Sequence, residues 1–282
     1  MNIQLMTDGG ADIPTALQKK LNIAVVPLNI QINGETYKVS PDSKIENYYT
    51  LMEEAEELPK SSAPGPQDFY EAYKRVDENK PILMLSISKG VSGTYQSAVM
   101  GKDMLLDEEP DRQIEIINTK TASCGIALLL HEAGKKLAQD VHFHNLVSHM
   151  RERVEKLSTL FVLRTLDNLI KGGRLDKVKG AIAKTLNIKL LLHATNEGTI
   201  DVAEKVRGNK KAMRRFVEQI GEQTKHFGTI SLAHGNSKER ANKVLADIKE
   251  KYPFQNSLTM DMGPLIATYS GEGGLVISFF RD

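Results

Sequence analysis

Short apolar segments alternate with amphipathic segments along the first half of the chain. Residues 81–87 form a nearly continuous apolar run, which is typical of a parallel strand buried on both faces. An amphipathic helix is predicted directly after it, over residues 94–106, and residues 114–117 and 123–138 repeat the strand and helix. This alternation predicts a parallel, doubly wound α/β sheet.

The first 34 residues begin with the same strand and helix and then continue into a hairpin. We predict a strand over residues 2–6, a helix near residues 13–21 and a second strand over residues 23–28. Asn33 and Gly34 lie between β-favouring residues and indicate a hairpin.

The pattern changes again near residue 140, where two helical segments follow one another. We predict strands at residues 160–163, 229–233 and 275–280, and an antiparallel pair, 188–193 with 199–206, around Asn196-Glu197-Gly198. The sequence therefore indicates two packed α/β domains, residues 1–155 and 156–282. A cleft between two such domains is the default position for a ligand.

Composition excludes several classes of protein. The 282 residues carry 37 basic and 36 acidic side chains, which argues against a surface that binds nucleic acid throughout. A single cysteine cannot form an internal disulfide, so we expect a cytoplasmic protein. No signal peptide and no apolar run of the ~18 residues that a membrane span needs are evident, so stable membrane insertion is not expected.

One loop is suited to binding an anion. Residues 88–94 (SKGVSGT) follow the most apolar strand and precede a helix, whose N-terminus offers free N–H groups and partial positive charge. Ser92 and Thr94 add hydroxyls, and the glycines allow close approach of the backbone. A phosphate or a carboxylate would fit, although an ordinary helix cap has the same pattern. The spacing matches neither a P-loop nor a dinucleotide fingerprint, so no nucleotide cofactor is expected.

Two alternatives start from single reactive residues. Ser92 partly resembles the nucleophile of a hydrolase elbow, and His234 would then be the histidine of a serine esterase. Cys124 stands at a helix start that could lower its pKa, but a small buried residue explains it as well. No histidine pattern indicates a metal site.

A second hydroxyl-rich loop and two basic clusters add candidates. Ser61 and Ser62 precede two prolines, so they form either a linker turn or a rigid donor pair facing the Ser92 loop. Basic residues concentrate at 171–184 and 205–215, as expected of a solvated helix face or of a docking surface for an acidic partner or phosphates.

Several of these segments together resemble the DegV family. The matching segments are TDGGAD at residues 7–12, the Ser61 loop, ISKGVSGTYQSA at 87–98, NTKTASCG at 118–125, KGGRL at 171–175 and GPLIATYSGEGG at 263–274. The resemblance extends over essentially the whole chain. It implies a protein that binds a long-chain fatty acid, without catalytic residues of its own, and that serves as the acyl-carrying subunit of a bacterial fatty acid kinase feeding phospholipid synthesis.

The resemblance also assigns roles to residues. It implies that Ser61 and Ser92 hydrogen-bond the fatty-acid carboxylate, that Gly93 lends a backbone N–H, and that Ser62 and Tyr269 belong to the same ligand site. Arg174 and Arg207 would contact the separate kinase subunit, which uses ATP.

The long acyl tail requires an apolar tunnel. We expect it within the second domain, with the carboxylate at the interdomain cleft, and lined by residues 160–163, 188–192 and 265–266. The sequence departs from the usual family pattern at Gly9, Ala63-Pro64-Gly65, Lys89 and Tyr269. Tyr269 could keep a hydrogen bond where a histidine is usual.

Overall fold

The computed structural model describes residues 3–40, 43, 48–175 and 187–282. Its strands are β1 Gln4–Asp8, β2 Ala24–Val26, β3 Leu28–Ile32, β4 Glu35–Val39, β5 Lys60–Ser62, β6 Ile82–Ser86, β7 Ile114–Asn118, β8 Leu157–Val162, β9 Ile188–Ala194, β10 Ile200–Arg207, β11 Thr229–His234, β12 Asn256–Asp261 and β13 Leu275–Phe280. Its helices are α1 Thr15–Leu21, α2 Tyr48–Glu54, α3 Pro66–Lys74, α4 Thr94–Glu108, α5 Cys124–Leu137, α6 Phe143–Lys156, α7 Asp167–Lys171, α8 Asn209–Gln223, α9 Lys238–Lys251 and α10 Pro264–Ser270.

The first sheet is parallel, as predicted from the alternating pattern. Its strand order is β2-β1-β6-β7, and the apolar run forms the central strand β6, in which all five residues are buried. The first strand begins at Gln4 and extends to Asp8, two residues beyond the predicted segment, whose Asn2 lies outside the described residues. This shift makes Asp8 the last residue of β1.

Residues 23–28 do not form one strand. Ala24–Val26 joins the parallel sheet, whereas Leu28 starts β3 of a small antiparallel sheet with the order β4-β3-β5. Pro27 separates the two strands because proline has no N–H to donate to a ladder. The predicted hairpin at Asn33 and Gly34 is confirmed: both have positive φ, at 50° and 84°, and join β3 to β4.

The Ser61 segment is a strand and not a linker turn. Strand β5 pairs antiparallel with β3, so that Ser61 lies opposite Ile30 and Ser62 opposite Asn29. Successive side chains of a strand point to opposite faces, which separates the two serines. Ser61 is half-buried and Ser62 is exposed.

The second sheet contains six strands in the order β10-β9-β8-β13-β11-β12. The predicted antiparallel pair β9–β10 is present, and only β11 and β12 are parallel. One face of this sheet packs on α8 and α9 and forms a separate apolar cluster that includes Leu160, Phe216 and Phe279. The other face packs on α5.

Helix α5 lies between the two larger sheets. It contacts β6 of the parallel sheet and also β8, β11 and β13 of the second sheet. Eight of its residues are buried, as expected of a helix covered on both sides. The six strands of the second sheet all follow α6, which ends at Lys156, and the proposed domain boundary at residues 155 and 156 stays a prediction.

Two features are absent from the described residues. Among them, no helix is both long and apolar enough to cross a bilayer. Nor do they contain a group of three or more His, Cys, Asp or Glu side chains placed to hold a metal ion. Of the first basic cluster, Lys177, Lys179 and Lys184 lie outside the described residues, as do residues 44–47 before α2.

Candidate ligand-binding site

A buried aspartate organises the loops at the carboxyl ends of the parallel strands. Asp8 Oδ2 accepts hydrogen bonds from the Ser86 hydroxyl and the Ile87 N–H, both at 2.9 Å, and Oδ1 accepts one from the Gly10 N–H at 2.9 Å. Complete burial raises the pKa of Asp8 to about 6, although these three hydrogen bonds oppose the rise. The start of the glycine-containing loop is therefore fixed to the end of β1.

The tip of the β9–β10 hairpin closes over this loop. Ser88 donates its hydroxyl hydrogen to the Gly198 carbonyl oxygen at 2.7 Å. Gly90 lies so near the tip that an added Cβ would be 2.6 Å from the same oxygen. Gly198 itself has φ of +80°, and its added Cβ would be 2.0 Å from Ser88 Oγ. Glycine is thus required at both positions to bring the second half of the chain onto the loop.

Beneath this contact lies a cavity bordered by both halves of the chain. The space free of protein atoms in the cavity and its open mouth together is about 880 Å³. Most of its lining is apolar. These apolar residues are Leu28, Ile87, Val91, Ala122, Phe161, Leu163, Leu169, Ala194, Ile200, Leu265, Ile266 and Val276.

Two pairs of hydroxyl groups lie in or beside the cavity wall. Ser61 Oγ and Tyr269 Oη are 2.6 Å apart, and Ser92 Oγ is 2.8 Å from Thr94 Oγ1. Each mutual hydrogen bond uses one of the two hydroxyl hydrogens in its pair, so the other remains able to donate. Each pair can therefore donate a hydrogen bond to a bound anion.

Arg174 adds positive charge beside these hydroxyls. Its guanidinium carbon lies 5.0 Å from the centre of the Tyr269 ring, and its Nε donates to the Val91 carbonyl oxygen at 3.3 Å. Gly172 lets the two side chains approach, because a Cβ there would be 2.5 Å from the Tyr269 ring. The KGGRL segment thus places Arg174 at the cavity and leaves room beside it for the ring of Tyr269.

A model of the DegV family matches residues 2–282. The chain belongs to the DegV family. A DegV domain-containing protein of Streptococcus pyogenes serotype M1 is 30% identical to it over 281 residues, which are 99% of each chain. The family resemblance inferred from the sequence motifs is therefore confirmed.

Solved structures share the whole fold of this DegV protein. A DegV family protein of Ruminococcus gnavus, refined with vaccenic acid, has a TM-score of 0.93 at 29% identity and covers 99% of this chain and 100% of its own. The Streptococcus pneumoniae fatty acid kinase (Fak) B3 protein, loaded with linoleic acid, has a TM-score of 0.90 at 27% identity, with complete coverage of both chains. The predicted DegV-like α/β fold, with a parallel sheet and a second sheet, is confirmed.

The structure brings together four of the seven predicted site residues of this DegV protein. Ser61, Ser92, Tyr269 and Arg174 all line the cavity. Gly93 is exposed next to them at the N-cap of α4, and no atom lies within 4 Å of the position that its Cβ would occupy.

The other two predicted residues do not line the cavity. Ser62 points away from it on the exposed side of β5. Arg207 is exposed at the end of β10, and its role in contacting a partner stays a prediction.

The cavity extends beyond the second domain in which the tunnel was expected. Phe161, Leu163 and residues 265–266 line it as predicted, but Leu28, Ile87 and Val91 of the first half line it too. Leu160 and Val162 lie on the opposite sheet face and pack in the cluster with α8 and α9, because side chains alternate along β8. No residue of 188–192 lines the cavity; the hairpin contributes Ala194, Gly198, Thr199 and Ile200 instead.

The two alternatives based on reactive side chains find no support. Ser92 shares its hydrogen bond with Thr94, and no histidine or carboxylate in the described ranges bonds to it. His234 is on β11, where its Nδ1 accepts from the Ser237 N–H at 3.4 Å and lies 3.4 Å from Asp261 Oδ1. Burial raises the pKa of Cys124 to about 12, which makes it an unreactive core thiol.

Two departures from the usual family pattern can be placed in the structure. A Cβ at Gly9 would be 2.4 Å from the Val39 carbonyl oxygen, so the hairpin strand β4 leaves no room for a serine there. Tyr269 keeps a hydrogen bond through its hydroxyl, as expected, and its partner is Ser61.

Sequence reasoning missed Thr121 and Thr159 as cavity residues. Their hydroxyl oxygens are 2.8 Å apart, although the residues are 38 positions apart in sequence. Gly125 on α5 leaves room for this pair, because its added Cβ would be 2.5 Å from Thr121 Oγ1, but no local sequence pattern indicates the contact.

Proposed function

We propose that this protein binds a long-chain fatty acid and presents its carboxylate to a separate ATP-dependent kinase subunit for acyl-phosphate formation. The observation that carries the proposal is one mainly apolar cavity with hydroxyl groups and an arginine gathered in its wall. A fatty acid matches this arrangement, because it carries one anionic group at the end of an apolar chain.

The carboxylate is assigned to the hydroxyl pairs. Ser61, Tyr269 and Ser92 supply hydrogen-bond donors, and Arg174 supplies the compensating charge. Hydrogen bonds from such groups to an anion are roughly twice as strong as neutral ones. The 15-residue helix α4 begins at Thr94 and adds the partial positive charge of its N-terminus.

The acyl tail is assigned to the apolar walls. Each methylene that leaves water contributes about 0.8 kcal/mol, so the tail provides most of the affinity and the carboxylate sets the orientation. The solved relatives support this assignment, since one was refined with vaccenic acid and another is loaded with linoleic acid.

The kinase partner follows from the likeness to the Fak B3 protein. No phosphate loop or dinucleotide fingerprint occurs in this sequence, so the phosphoryl donor is assigned to another subunit. Arg174 beside the carboxylate site and the exposed Arg207 are the proposed contacts for that subunit. The single cysteine agrees with action in the cytoplasm.

Replacement of Ser92 tests the carboxylate site. We expect Ser92→Ala to weaken binding of a long-chain fatty acid by roughly 1–3 kcal/mol, about 5- to 150-fold, in a titration of delipidated protein. Ser97→Ala is the matched control, because Ser97 lies on α4, directly after the Ser92 loop, and does not line the cavity.

The methyl ester of the same fatty acid separates the charge from the tail. It should bind the wild type more weakly than the free acid does, and Ser92→Ala should reduce this preference. Equal binding of the acid by wild type and Ser92→Ala would contradict the assigned site. Covalent labelling of Ser92 by a fluorophosphonate would support an esterase instead.

A further inference from the structure

We propose that Asp12 is a positioning residue for recognition of the fatty-acid carboxylate. It does not line the cavity, and it acts by fixing the start of helix α10, which carries the Tyr269 hydroxyl to its partner Ser61. This inference rests on the proposed function, because it concerns the same carboxylate. It assigns part of the recognition to a residue outside the cavity wall.

The carboxylate of Asp12 joins three segments that are distant in the sequence. Asp12 lies in the loop after β1. Its Oδ2 accepts a hydrogen bond from the Ser123 hydroxyl at 2.5 Å, and its Oδ1 accepts one from the Gly263 N–H at 2.7 Å. The side chain is almost completely buried, and hydrogen bonds are stronger where water is excluded. One residue therefore holds two other loops in place.

Gly263 is the last residue before α10, and this helix forms much of the cavity wall. Four of its seven residues line the cavity: Leu265, Ile266, Tyr269 and Ser270. Tyr269 lies near the other end of α10, roughly 9 Å from Gly263 along the axis. Tyr269 Oη is 2.6 Å from Ser61 Oγ, so a shift of about 1 Å would take the two oxygens beyond hydrogen-bond distance. This hydroxyl pair therefore depends on how α10 is held.

Two further hydrogen bonds hold α10 at a single residue. Thr268 Oγ1 is 2.5 Å from Tyr48 Oη, and the Thr268 carbonyl oxygen accepts from Asn168 Nδ2 at 2.8 Å. These bonds fix one point of the helix but not its direction, which the bond from Asp12 to the N-terminus sets. Without Asp12, we expect α10 to pivot about Thr268 and to displace the Tyr269 hydroxyl, which lies at the end of a long side chain.

The second partner of Asp12 belongs to another part of the cavity wall. Ser123 borders the cavity and precedes α5, with a φ of 56°, a backbone conformation uncommon for serine. Its N–H donates to the Gly10 carbonyl oxygen at 2.8 Å, and its hydroxyl bonds to Asp12 instead of capping α5. Asp12 thus ties the wall at α5 to the wall at α10.

The test measures the preference for a free fatty acid over its methyl ester, which separates carboxylate recognition from binding of the tail. Delipidated wild type, Asp12→Ala and Asp12→Asn are titrated with a long-chain fatty acid and with its ester. We expect Asp12→Ala to lower the preference about 3- to 10-fold, which corresponds to the loss of one hydrogen bond. Asparagine offers an acceptor to Gly263 and a donor to Ser123, so Asp12→Asn should keep most of the preference.

Further variants separate positioning from a general loss of stability. Phe279→Ala destabilises the opposite face of the second sheet and should keep the wild-type preference. In a Tyr269→Phe background, Asp12→Ala should change the preference less than about twofold, because the hydroxyl through which Asp12 acts is already absent. Asp12→Ser, whose side chain is too short to span Ser123 and Gly263, replaces Asp12→Ala if that variant does not fold.

Three results would overturn the positioning role while the wild type still binds the free acid. They are an unchanged preference in Asp12→Ala, an equal effect with and without the Tyr269 hydroxyl, and the same loss in Asp12→Asn as in Asp12→Ala. Failure of the wild type to bind any fatty acid would overturn the proposed function itself, so the two failures are distinguishable.

Discussion

The two faces of the six-stranded sheet differ in the side chains that they present and in what packs against them. On the side of α8 and α9, the strands contribute apolar residues to a closed core: Leu160, Val162, Leu191, Ile230, Leu232, Leu275, Ile277 and Phe279. On the side of α5 and the cavity, the same strands contribute Thr159, Phe161, Val276, Ser231 and Ser278.

The difference shows how one strand can line a core on one face and a cavity on the other. Along β8, successive residues alternate between the two faces, so that Leu160 belongs to the core and Thr159 and Phe161 to the cavity. Buried hydroxyls need partners, and the cavity face provides them through the chain from Thr121 to Ser278. We expect the closed face to contribute mainly stability and the cavity face to contribute ligand recognition.

Matched phenylalanine replacements give the largest expected effect. We expect Phe279→Ala, on the closed face, to lower the free energy of unfolding by about 3–5 kcal/mol, since it leaves a void among packed side chains. Phe161→Ala borders space that already exists, so it should cost about 1–2 kcal/mol in delipidated protein. Urea unfolding of delipidated proteins measures both.

Ligand binding should invert the order of these two variants. Phe161→Ala should weaken fatty-acid binding, whereas Phe279→Ala should leave the affinity unchanged under conditions where it is folded. Equal losses of stability in the two variants would show that the cavity face is packed as tightly as the closed face, and would break the comparison.

The next largest effect is a dependence of the free energy of unfolding on pH, which we assign to Asp12. Burial raises its pKa to about 7, against hydrogen bonds from the Ser123 hydroxyl at 2.5 Å and the Gly263 N–H at 2.7 Å, with nearby Asp261 adding to the rise. The carboxyl group of Asp12 therefore binds its proton more tightly in the folded chain than in the unfolded chain, where its ordinary pKa is 3.8. The free energy of unfolding should therefore fall as the pH rises from about 4 to about 7, by on the order of 4 kcal/mol.

The variant Asp12→Asn removes this titration while keeping an acceptor and a donor at the position. Urea unfolding at pH 5 and at pH 7.5 should show a smaller loss of stability in the variant than in the wild type. The same loss in both proteins would mean that Asp12 does not contribute to the pH dependence.

Neighbouring serines give the smallest expected effect and the closest control. Ser61→Ala removes a donor at the cavity and the partner of Tyr269, so we expect fatty-acid affinity to fall about 5- to 30-fold. Ser62→Ala should change it less than about twofold, because the exposed side chain contributes little. Titration of both delipidated variants checks this, and equal effects would remove Ser61 from the site.

The sequence predicted what depends on local pattern. The apolar run of β6, the hairpin at Asn33 and Gly34 and the last strand, at residues 275–280, all follow from periodicity and turn chemistry. The Ser92 loop could be predicted as a candidate anion site because its glycines and hydroxyls stand together at a helix start.

The remaining features depend on contacts between distant segments. Ser61 meets Tyr269 across 208 positions, and Ser88 meets Gly198 across 110, so no local pattern contains either contact. Strand β5 has only three residues, too few to show alternation. The assignment of Leu160 to the tunnel was wrong. Both faces of β8 are buried, and the sequence does not distinguish an apolar residue in a core from one in a cavity wall.

The most direct measurement is native mass spectrometry of protein purified without added lipid. The account predicts one bound mass per chain in the range of long-chain fatty acids, which is released by delipidation and restored by adding the free acid. A bound nucleotide, or protein that carries no ligand from several expression hosts and takes up no added fatty acid, would contradict it.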